Sequence, residues 1–91
     1  MTMNAVWLKI DAERLAHSVQ QACDNLDSAT REVALDFSSV RRIDPSALRA
    51  MEKLAGAADD KAVKVVLRGV DVKVYKVLKL VKLAPRFSFL T

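Results

Sequence analysis

The chain has 91 residues, 52% of them hydrophobic and 29% charged, with a formal net charge of +4. Such a length makes one small domain, with a core built from Val, Leu and Ala rather than aromatics. A single cysteine, Cys23, excludes an intramolecular disulfide and a thiolate metal cluster. No stretch reaches the roughly 18 uncharged apolar residues that a membrane-spanning helix needs. The start, Met1-Thr2-Met3-Asn4, places no basic stretch ahead of an apolar run, so the reducing cytoplasm is the expected location.

Ala5 to Ile10 is a short apolar run rich in β-formers and predicts the first strand. Asp11 is an N-cap for a helix running to about Leu26, with Leu15, Val19, Ala22, Cys23 and Leu26 on one face. Asp27-Ser28-Ala29-Thr30 is turn chemistry, and Glu32 to Phe37 alternates as a second strand. A connection from Ser38 to Ile43 leads to Asp44-Pro45, the sharpest local signal in the chain. An acceptor side chain at the N-cap and a proline whose missing N–H costs nothing at the next position together start a helix. Ala47, Leu48, Met51, Leu54, Ala55 and Ala58 mark its buried stripe, and Asp59-Asp60, unfavourable at the negative end of the helix dipole, predicts a stop near Ala58.

Ala62 to Val70 predicts the third strand, closed by Arg68-Gly69. Asp71 caps a third helix to Leu83, with Val74, Val77, Leu78 and Val81 toward the core and Val72, Tyr75, Leu80 and Leu83 away from it. Pro85 ends that helix, and Phe87 to Leu90 is a short last strand. The expected architecture is α/β: a small, mainly parallel four-stranded sheet with three main helices, in β-α-β-α-β-α-β order.

Several chemistries are excluded. Gly56 and Gly69 are the only glycines, too few for a phosphate-cradling loop or a dinucleotide fingerprint. His17 stands alone, which removes a histidine-built metal site, and Cys23 falls on an apolar helix face as a core residue. Asp59-Asp60 reads as a solvated turn. No enzyme, cofactor or metal is expected.

The stretch Val33-Ala-Leu-Asp-Phe-Ser-Ser-Val-Arg-Arg-Ile-Asp-Pro-Ser-Ala-Leu-Arg-Ala-Met resembles the signature of STAS domains, the anti-sigma-factor antagonist family. There an apolar strand ends in Asp-Leu-Ser, and Asp-Ser-Ser-Gly-Leu opens the next helix. The resemblance continues through Arg68-Gly69-Val70 and the helix after it, and implies one STAS-like domain over 1–91 with its N-terminal strand pair abbreviated. It implies a regulatory protein that docks on an anti-sigma-factor serine kinase through Ser39, Arg42, Asp44, Pro45, Ser46 and Arg49. Ser46 takes the place of the serine that the partner kinase phosphorylates. Pro45 and Ala47 depart from the family's serine and glycine.

Physics makes Ser46 a sensible switch. A phosphate adds about −1.5 to −2 charges beside the unpaired N–H groups of a helix start. The dipole returns only about 0.3–1 kcal/mol, whereas a misplaced like charge at an interface costs several. Phosphorylation is therefore expected to release a partner without unfolding the domain.

The last third is strongly basic: from Lys61 onward there are eight Lys/Arg and one acid, Asp71. Lys73, Lys76, Lys79 and Lys82 recur every three residues among apolar side chains, which fits a neighbouring subunit or membrane headgroups. The segment Gly69-Val-Asp-Val-Lys-Val-Tyr-Lys-Val-Leu-Lys-Leu also resembles STAS subunits of phospholipid-transport ATP-binding-cassette complexes, which implies, as the alternative, an accessory to the transport ATPase. Nucleic acid fits least, since the basic third offers only Tyr75, Phe87 and Phe89 for stacking.

Overall fold

The structure, a computed structural model, describes residues 5–26 and 31–90. Four strands, β1 (Ala5–Lys9), β2 (Glu32–Asp36), β3 (Lys64–Arg68) and β4 (Ser88–Leu90), alternate with three helices, α1 (Leu15–Asp24), α2 (Pro45–Lys61) and α3 (Val72–Leu80). The strands lie side by side in chain order and every pair is parallel, with Val33 opposite Val65 and Leu35 opposite Leu67. The predicted order and sheet are those observed. The turn expected at Asp27–Thr30 lies outside the described residues.

Three successive crossovers of the usual hand, all stepping in one direction, put every helix on the same face of the sheet. Burial agrees: Val33, Leu35, Phe37, Val65 and Leu67 join one apolar cluster with Leu15, Val19, Met51, Leu54, Val74 and Leu78. Val66, one residue out of phase, is buried outside that cluster on the opposite face. The uncovered face carries Trp7, Ala34, Asp36, Lys64 and Arg68. There the Arg68 guanidinium lies 4.5 Å from the centre of the Trp7 ring, reaching across β2. The contact is diagonal, since Trp7 lies opposite Ala34 on β2 and Arg68 opposite Asp36, and the small side chain of Ala34 leaves room beside the ring.

Several boundaries differ from the sequence expectation. Asp11 caps a short 3₁₀ turn, Ala12–Arg14, and α1 begins only after it, because Arg14 is non-helical at φ −128°, ψ 50°. α2 runs three residues past Ala58. Asp59 is paired with Arg86, Lys61 sits in the last turn, and Ala62 closes the helix in the left-handed conformation. That closure satisfies two carbonyls, with the Val63 N–H donating to Ala58 and the Ala62 N–H to Asp59. β3 therefore starts at Lys64 rather than Ala62.

α3 ends at Leu80, well before Pro85, because Lys82 adopts φ 63° and the Leu83 N–H turns back to the Leu78 carbonyl. Pro85 lies in a further 3₁₀ turn, Ala84–Arg86. This early stop reverses two side-chain assignments. Val81, expected in the core, is half exposed, and Leu83, expected outside, is buried.

Candidate protein-docking surface

In an all-parallel sheet the carboxyl ends of the strands and the amino ends of the helices meet along one edge. Three aspartates cap the chain there. Asp11 accepts from the Glu13 N–H at 2.9 Å, Asp44 from the Ala47 N–H at 2.8 Å and Asp71 from the Lys73 N–H at 2.8 Å. Pro45 occupies the first helical position of α2, and the Leu48 N–H donates to the Asp44 carbonyl at 3.0 Å. Ala47 is fully buried, which turns its neighbour Ser46 outward at the second position. The sequence expectation for this helix start is met.

The connection before α2 is folded tightly. Asp36 accepts from the Ser38 N–H at 2.9 Å, the Val40 N–H donates to Phe37, and buried Val40 anchors the loop. The Ser38 hydroxyl and N–H hold the Asp36 carboxyl below its ordinary range, outweighing the opposing effect of burial, and Lys9 and Arg68 add smaller contributions in the same direction. Across the loop, Gly69 stands at φ 67°, and a Cβ there would lie 3.0 Å from Ser38 Cβ. Only a residue without a side chain lets the two connections pass so closely. The Arg68–Gly69 pair thus sets the position of the Ser38–Ile43 loop as well as ending a strand.

Ser39, Arg42, Asp44, Pro45, Ser46 and Arg49 are all exposed along this edge, but they do not converge on one pocket. Ser46 and Arg49 line a shallow cleft between α1 and α2, with His17, Gln20 and Lys53. Arg42 opens toward α3 beside Arg41, Lys73 and Val77, and Arg41 faces Asp71 at 3.7 Å. Ser39 borders the connection after β1, near Lys9, Asp11 and Glu13. His17, Gln20 and Lys53 escaped the sequence reading. Helical spacing carried a signal, since Lys53 follows Arg49 by four residues and Gln20 follows His17 by three, but only the packing of α1 on α2 joins the two pairs.

This edge offers hydroxyls, guanidinium groups and a helix start on an open surface, which is the chemistry of binding. Among the described residues, no group of three or more His, Cys, Asp or Glu is placed to hold a metal ion. No described helix is long and apolar enough to cross a membrane.

The STAS domain family model matches residues 3–91. The chain belongs to the STAS domain family. No curated protein matches this STAS chain in sequence. Its fold is similar to that of a sulfate transporter family protein from Wolinella succinogenes, with a TM-score of 0.78 at 16% identity, covering 98% of this chain and 79% of that one. It is similar also to the STAS domain of a SulP transporter from Vibrio cholerae, with a TM-score of 0.71 at 13% identity, covering 100% of this chain and 77% of that one. At such identities the likeness establishes the fold. As a STAS domain the chain is a non-catalytic module.

Proposed function

We propose that this module is a cytoplasmic accessory or regulatory domain of a membrane-transport machine, and that it docks on its protein partner through the start of α2. The observation that carries the reading is the exposed run Asp44-Pro45-Ser46, with Arg49 one turn on, held rigidly by the Asp44 cap and flanked by Arg42 and Ser39. The two similar structures named above come from transport proteins, and the Gly69–Leu80 stretch resembles STAS subunits that accompany a phospholipid-transport ATPase. The partner is the ATPase subunit of such a complex, and the STAS module needs no cofactor. The arginines and Lys53 favour an acidic face on that subunit.

The test is purification of the tagged protein from its own cells. A transport ATPase subunit co-purifies with the wild type and is lost with Arg49→Glu. Recovery of other proteins alone, with no transport component, refutes the proposal.

The outward-facing hydroxyl of Ser46 favours a second reading, an anti-sigma-factor antagonist switched by phosphorylation. Pro45 and Ala47 stand against it, because the stiffened turn and the added Cβ hinder close approach by a kinase. Incubation with an active cognate kinase and ATP separates the two readings: phosphate on Ser46 favours the switch, and none leaves the accessory role.

A further inference from the structure

α3 turns Val74 and Leu78 into the core. That orientation leaves Val72, Lys76 and Leu80, spaced four residues apart, along its outward crest. Val72 is 67% exposed and Leu80 81%. Lys73 and Lys79 flank the crest, and the exposed Val81 and Lys82 extend it beyond the helix end. Among the described residues no ion pair engages any of these four lysines, and the neighbouring acids have other partners: Asp71 faces Arg41, and Asp59 pairs with Arg86.

We propose that this face binds the surface of an anionic lipid bilayer, with Lys76 and Lys79 on the headgroups and Val72 and Leu80 inserted among them. Charge complementarity selects an anionic surface, since the face carries four cations and Asp71, the one acid of this helix segment, faces Arg41. The spread of charge selects a bilayer over a protein. Leu80 protrudes from the crest, Val72 stands at the rim of an open apolar groove shared with Tyr75, Phe89 and Leu90, and lysines at every third residue spread the charge around the outward half of the helix. Protruding apolar groups ringed by flexible cations suit a fluid array of phosphates better than a fixed set of carboxylates. The surface lies on a different helix from the α2 docking edge and does not depend on it.

The experiment is co-sedimentation of the full chain with vesicles of phosphatidylcholine, pure or doped with phosphatidylglycerol, at low salt and then at high salt. The protein sediments with the doped vesicles alone, and salt releases it, because the attraction acts within a Debye length. The double variant Lys76→Glu/Lys79→Glu binds at least about tenfold more weakly, as two reversed charges near an anionic surface require. Leu80→Ser weakens binding several-fold. All three side chains are exposed, so an unchanged circular dichroism spectrum verifies the fold. Ser46→Glu leaves vesicle binding intact, which keeps this test separate from that of the α2 edge. Equal binding to neutral vesicles, no binding at low salt, or an unaffected charge-reversal variant overturns the proposal. So does cross-linking of this face to an acidic protein without vesicle binding.

Discussion

Ala62 ends α2 at φ 56°, a conformation that brings the Cβ of an L-residue close to a carbonyl. Glycine relieves that contact, so Ala62→Gly is expected to raise stability by about 0.5–1 kcal/mol despite its larger entropy loss. In a domain of this size that is an increase of roughly 2–8 °C in the melting temperature, measurable by calorimetry. Gly69 presents the opposite case. Its positive φ and the Ser38 backbone beside it leave no room for a methyl group, and Gly69→Ala is expected to cost about 2 kcal/mol in urea unfolding. The pair tests whether backbone geometry, rather than residue type, decides these positions.

At the scale of elements, the start of α2 rests on one carboxylate. Asp44→Ala removes the bond to the Ala47 N–H and is expected to lower stability by about 1 kcal/mol, with helix content otherwise retained by circular dichroism. Asp36 links two strands to the loop, and its lowered pKa makes it a contributor to acid stability. Its stabilising effect is fully present above the ordinary carboxylate pKa and fades as pH falls through the lower folded value. Asp36→Asn is therefore expected to lose stability at neutral pH and to flatten the acid limb of the stability profile below about pH 4, as thermal melts across that range would record.

The elements differ in how far the sequence alone revealed them. Asp44-Pro45 was legible because a cap and a first-turn proline act within one helical turn. The end of α2 was not, since the Asp59 charge is met by Arg86, 27 residues away. The end of α3 was hidden by the left-handed turn at Lys82, a conformation that lysine rarely adopts and no neighbouring residue announces. The stack of Arg68 on Trp7 requires strand order and register, neither of which is written in local periodicity. The candidate docking residues were legible one by one, while the α1 contribution from His17 and Gln20 emerged only from packing.

Over the whole molecule, the helices cover one face of the sheet, and the functional surfaces proposed here occupy the carboxyl edge and the outward side of α3. The core supplies rigidity to both. Met51, Leu54, Val74 and Leu78 are essentially inaccessible, so α2 and α3 are held against the same strands and present their outer residues at fixed positions. In the proposed function the module acts by placing exposed groups in front of a partner. Ser46 and Arg49 are the groups on which the proposed docking depends.

Titration of the purified chain against the isolated partner subunit measures that dependence. Ser46→Glu puts a carboxylate at the outward position of α2 and is expected to weaken binding at least tenfold, equivalent to about 1.4 kcal/mol, without shifting the melting temperature. Binding of Ser46→Glu and Arg49→Glu with wild-type affinity would contradict the account.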